Sequence, residues 1–112
     1  MNPYQDLKMR IVLDRSLSPG SHIAQALHAL QEFSVEYPDL IKEWYISNNS
    51  VVALNASSEQ LVELINKCNE LGLAYSIFRE PDFDYMLTAV ALQPCRLSRK
   101  LTSNFSLALR GL

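Results

Sequence analysis

The stretch 8–36, KMRIVLDRSLSPGSHIAQALHALQEFSVE, decides the fold, because it passes from a short apolar run through a polar loop into a long helical pattern. KMRIVLD is rich in branched apolar residues and flanked by charge, the profile of a buried strand. Ser18 followed by Pro19 marks a helix start: the serine oxygen can cap a free amide, and proline has no amide hydrogen to lose and a φ that already suits a helix. Ile23, Leu27, Leu30 and Ser34 or Tyr37 then recur at helical spacing, which predicts a helix to about Glu36 with those positions as its apolar stripe.

Working outward, Pro38 restarts the chain, and PDLIKEWYIS gives a second helix with Leu40, Ile41 and Trp44 on one side before Asn48, Asn49 and Ser50 punctuate. VVALN (51–55) is a second strand. SSEQLVELINKCNELG (57–72) is the clearest helix: Ser57 and Gln60 fit a capping box, Leu61, Leu64, Ile65, Cys68 and Leu71 form the stripe, and Gly72 suits a left-handed stop. AYSIFRE (74–80) reads as a third strand, EPDFDY as a loop, and MLTAVALQ as a fourth strand ended by Pro94. The tail from Cys95 reads as a short helical turn followed by an extended SLAL. This order predicts a single α/β domain over 1–112 with a mixed sheet, the second strand parallel to the first and the last two joined hairpin-like.

At 112 residues, with 48% hydrophobic and 20% charged residues, the chain is long enough to bury a core without staples. Cys68 and Cys95 are too far apart for a C-x-x-C metal motif and too few for a disulfide framework, so they read as reduced thiols. No apolar run is long enough to span a membrane, which points to a cytoplasmic protein. The net charge of −2 hides an asymmetry: ten acids stand against Lys42, Lys67 and Arg79 between Glu32 and Asp84, whereas Arg96, Arg99, Lys100 and Arg110 follow with no acid. One basic side can bind an anion while the other keeps the molecule soluble; equally, the tail charges can be simply solvated.

Sites in such sheets gather where loops leave strand ends. The loop DRSLSPGSH feeds a helix N-terminus whose amides at Gly20, Ser21 and His22 can favour an anion, although the P-loop pattern is missing. His22, Gln25 and His28 share one helix face at steps of three and either line a cleft or form a solvated face. His28 is the natural general acid or base of the chain. Glu80, Asp82 and Asp84 alternate in the loop after Arg79, where they can orient a water or serve as ordinary turn residues. The two histidines and the acidic loop lack a metal-ligand spacing, and no nucleophile elbow supports a triad of Ser21, His28 and Asp82.

The order of these motifs resembles the archaeal and eukaryotic type of peptidyl-tRNA hydrolase, also called type 2. The resemblance rests on Gly20, Ala24, Gln25, His28 and Ala29 in the first long helix, Ser57 to Leu64 in the third, Arg79 before the loop, and Thr88, Ala91 and Pro94 in the last strand. It spans about residues 8–109. Two positions depart from it: Ser21 stands where the family carries a lysine, and Glu80 where it carries an aspartate, in a loop that is shortened here.

The resemblance implies a three-layer α/β/α domain with a mixed four-stranded sheet, a homodimer, and hydrolysis of the ester between peptide and tRNA without metal or organic cofactor. In that reading Glu80 or Asp82 takes a proton from water, and His28 or Thr88 holds the ester or the leaving oxygen. Gly20, Ser21, His22 and Gln25 line the substrate, and Arg15, Arg96, Arg99 and Lys100 hold phosphates. The alternatives are an inactive member of the fold that binds RNA, an anion or a protein, and a hydrolase of a small ester or modified nucleotide.

Overall fold

A computed structural model describes residues 7–110, so the two ends of the expected 1–112 domain lie outside the described range. The chain runs through β1 (Met9–Asp14), α1 (Pro19–Glu36), α2 (Pro38–Ser47), β2 (Val51–Ala56), α3 (Ser58–Leu71), β3 (Tyr75–Glu80), β4 (Met86–Leu92), α4 (Arg96–Leu101) and β5 (Ser106–Leu107). The strands form one mixed sheet in the order β3-β4-β1-β2-β5. β1 is central and buried at every residue, which is why its sequence is a continuous apolar run rather than an alternating one. It pairs parallel with β2, two helices filling the crossover, and antiparallel with β4, which forms a hairpin with β3.

Helices cover both faces. Met9, Ile11 and Leu13 of β1 and Ala89 and Ala91 of β4 pack with Ala29 and Phe33 of α1 and Trp44 of α2. On the opposite face Val12, Leu54, Val90 and Leu92 pack with Leu61, Leu64 and Cys68 of α3 and with Leu97 and Leu101 of α4. Burial, reinforced by the nearby Cys95, pushes the Cys68 thiol up to about 11. The caps are those the sequence implies: Ser18 accepts from the Ser21 amide, Ser57 and Gln60 form a reciprocal capping box, and Gly72 closes α3 at φ +66°.

Three expectations change. The sheet has five strands rather than four: the extended part of the tail pairs Ser106 and Leu107 with Asn55 and Leu54, supplying partners to the outer edge of β2. Second, the inward face of α1 is His22, Gln25, Ala29 and Phe33, while Ile23 and Leu27 are 60% and 63% exposed. The helix has turned its larger aliphatics outward. Polar side chains occupy the interior stripe because each finds hydrogen-bond partners there, which offsets the cost of removing them from water. Third, Leu71 is half exposed, since the helical repeat carries it to the fringe of the α3 stripe.

Candidate active site

Four ends converge at one edge of the sheet: the C-terminal ends of β1, β2 and β3 and the start of β4, with the N-terminal half of α1 beside them. The register fixes this, since Asp14 pairs with Ala56, Leu13 with Ala89, and Glu80 with Met86.

The β3–β4 hairpin carries an irregularity here. Phe78 pairs with Ala89 but Arg79 pairs with Leu87, so one step on β3 matches two on β4 and Thr88 is the extra residue. A bulge of this kind re-aims a side chain. Strict alternation would send Thr88 to the α3 face together with Val90 and Leu92; instead its hydroxyl reaches α1, and Leu87 takes the place on the α3 side.

Thr88, fully buried, donates to Gln25 Oε1 at 2.6 Å, and Gln25 Nε2 donates to Glu80 Oε1 at 2.9 Å. The direction of this chain is set by its charged end. A carboxylate only accepts, so the amide must present nitrogen to Glu80 and oxygen to Thr88, which then must donate. The second oxygen of Glu80 accepts from the Asp82 amide at 3.3 Å. Glu80 is half-buried and Asp82 exposed, so a carboxylate clamped on both oxygens still meets solvent at the rim. Beyond it, Asp84 and Tyr85 are both left-handed (φ 51° and 61°) and turn the chain back so that the Tyr85 amide bonds the Glu80 carbonyl at 2.9 Å.

His28, one turn past Gln25, is exposed and lies flat on Phe78, with ring centroids 4.3 Å apart and planes 9° apart. Its nitrogens have no hydrogen-bond partner among the described residues. His22 is different: it is buried, with Nδ1 3.0 Å from the Ser18 carbonyl and Nε2 2.9 Å from Asn55 Oδ1. It ties the start of α1 to β2. Asp14, also buried, holds the intervening loop by accepting from the Ser16 amide and hydroxyl, and leaves Arg15 exposed. Ser18 caps the Ser21 amide, so Gly20 keeps the uncapped amide of that turn among the described residues.

The structure thus brings Gln25, Glu80 and Thr88 into direct contact, with His28 and Asp82 adjoining and Arg15, Gly20, Ser21 and His22 at the same edge of the sheet. It does not bring Arg96, Arg99 and Lys100 there. α4 follows the opposite end of β4, roughly 20 Å away at about 3.3 Å per strand residue, and packs on the α3 face. Phe78 and Asn55 are the partners the sequence reading missed. For Phe78 a signal exists, since it precedes Glu80 by two and so shares its strand face. Among the described residues no group of three or more His, Cys, Asp or Glu is placed to hold a metal ion, and no helix is long and apolar enough to cross a membrane.

The molecule is thus a mixed α/β domain whose sheet edge carries a carboxylate anchored through an amide to a buried hydroxyl. Residues 6–107 match the family Peptidyl-tRNA hydrolase PTH2, and the chain belongs to that family. It is 30% identical over 99 residues to the peptidyl-tRNA hydrolase of Methanocaldococcus jannaschii, covering 79% of this chain and 86% of the relative. A solved structure of a protein of unknown function from Agrobacterium tumefaciens strain C58 superposes with a TM-score of 0.70 over 89% of this chain and 96% of the other. At 12% identity that likeness concerns the fold alone.

Proposed function

We propose that this protein hydrolyses the ester between a peptide and the terminal ribose of tRNA, with Glu80 as general base. The observation that carries the reading is the Thr88–Gln25–Glu80 chain, which fixes a carboxylate at the rim of the sheet edge. Two donors occupy part of its accepting capacity, and the remaining lone pairs can receive a proton from water. As the water oxygen attacks the carbonyl carbon, its proton passes to Glu80. When the tetrahedral intermediate collapses, the carbon–oxygen bond to the ribose breaks and Glu80 returns the proton to the departing ribose oxygen. The products are tRNA with a free hydroxyl and a peptide carboxylic acid, which releases its proton to solvent to become the carboxylate, and the Glu80 carboxylate is regenerated.

Gln25 and Thr88, being buried, act as positioning residues behind Glu80. The Gly20 amide, with the positive end of the α1 dipole, faces developing negative charge. The cation that the family lysine supplies is absent at Ser21. His22 has both nitrogens engaged, so Arg15, exposed on the adjoining loop, is the group left to meet phosphate. A cytoplasmic homodimer belongs to the same reading. Exposed Ile23 and Leu27 line an apolar groove of about 230 Å³ with Ala26, Ala53 and Leu109, a surface on which a second copy can pack.

The test is turnover of purified peptidyl-tRNA without added metal. Glu80→Gln keeps the shape and removes the base, so kcat should fall about 10²- to 10⁴-fold with tRNA binding intact. Wild-type turnover by that variant, or tRNA binding without any turnover by the native chain, would overturn the reading.

A further inference from the structure

We propose that the outer face of the His28 imidazole is a stacking platform for a nucleobase, the third ring of a column that begins with Phe78. The inference rests on the hydrolytic reading above and adds to it the subsite for the terminal nucleoside. Phe78 is half-buried under His28, the two planes lie within 9° at 4.3 Å, and the outer ring is exposed. An imidazole held parallel to a phenyl ring has one face spent and the other open to solvent, which is the geometry a flat heterocycle needs to extend the stack. The same ring is poorly placed as an acid or base, since no group among the described residues hydrogen-bonds either nitrogen to fix its tautomer or aim its proton.

The position suits a nucleoside joined to the reacting ester. His28 is three residues along α1 from Gln25, about 4.5 Å of helix rise. Phe78 precedes Glu80 by two residues on β3, about 7 Å along the strand and on the same face. A ring on His28 therefore lies within one nucleotide's breadth of the carboxylate. Two flat groups can flank the scissile ester, a peptide side chain or the base on the ribose. Only the base is present in every such substrate, at a fixed distance from the ester. The carboxylates of Asp82 and Asp84 in the adjoining turn disfavour a phosphate there and leave a neutral base undisturbed.

The probe is a short oligoribonucleotide ending in CCA with 2-aminopurine in place of the terminal adenine, whose fluorescence is quenched on stacking. The wild-type protein should quench it. His28→Ala should abolish the quench, weaken binding about tenfold and raise KM for peptidyl-tRNA by a similar factor with kcat nearly unchanged. His28→Phe and His28→Trp, which keep a flat ring, should restore both quench and KM. Unchanged quench and affinity in His28→Ala, or a collapse of kcat in His28→Phe, would overturn the platform. Hydrolysis by the wild type without quench removes the platform alone; quench without hydrolysis by the wild type retains it and removes the proposed activity.

Discussion

Replacing Thr88 with valine tests the positioning chain most directly, because the two side chains are nearly isosteric and only the hydroxyl is lost. Thr88 is fully buried and Gln25 is 2% exposed, so no solvent can replace the missing donor at Gln25 Oε1. Leaving a buried amide oxygen unpaired costs about 1–3 kcal/mol, and the added methyl recovers up to about 0.8 kcal/mol. The net loss is about 1–2 kcal/mol, a fall in Tm of roughly 5–10 °C for a domain of this size. The functional effect has a separate cause. Without the hydroxyl the Gln25 amide is held by Glu80 alone, so the carboxylate loses the buried anchor behind it, and kcat should drop by about one to two orders of magnitude while KM moves little. Thr88→Ser supplies the control: it restores the donor, lacks only a methyl, and should recover most of kcat while remaining somewhat less stable. Calorimetric or circular-dichroism melting with single-turnover hydrolysis reads both effects. A Thr88→Val protein that melts with the wild type and turns over at its rate would refute the role given to the chain.

Two further tests address stability. The Cys68 thiol rises from 9.0 to about 11 in the folded protein, so folding favours its protonated form; that contribution is complete below about pH 9 and is lost as pH climbs toward 11. Two units correspond to roughly 2–3 kcal/mol, so denaturant titrations across this window should show a clearly shallower decline for Cys68→Ala than for the wild type, and parallel declines would contradict the burial argument. Gly72 ends α3 at φ +66° with open space where a Cβ would stand, so Gly72→Ala should cost about 1 kcal/mol from backbone strain alone, seen as a lower urea midpoint at unchanged m. A neutral result there would mean that the turn readily adopts another geometry.

What the sequence revealed follows from where local chemistry and tertiary structure agree. The β1–α1 boundary was legible because Ser18, Pro19 and a continuous apolar run each act within a few residues. The α3 cap was legible for the same reason: Ser57 and Gln60 satisfy each other's backbone with no outside help. The interior face of α1 was not. Periodicity finds apolar stripes, and this helix turns inward a histidine and a glutamine whose partners, Asn55, Glu80 and Thr88, lie 33, 55 and 63 residues away. Such pairs leave no mark on local spacing. The extended SLAL was legible, but β5, two residues long, gives no local sign that it pairs with β2 as a fifth strand. The basic run Arg96, Arg99 and Lys100 was visible in the sequence, but only the register of β4 shows that α4 follows the end of that strand opposite to Glu80.

The single residue inserted in β4 has a consequence for how this family member can change. Deleting Thr88 itself would restore a uniform frame with Leu87 still opposite Arg79, at the cost of the hydroxyl; regularising the strand with Thr88 retained would instead make every side chain from there to the tip of the hairpin swap faces. Leu87 would turn toward the helix that carries His28, and the hydroxyl would be lost among the aliphatics beneath α3. Length variation is thus tolerable beyond the paired segment, between residues 81 and 85, and within the strand it becomes an all-or-nothing matter for what holds the Glu80 carboxylate.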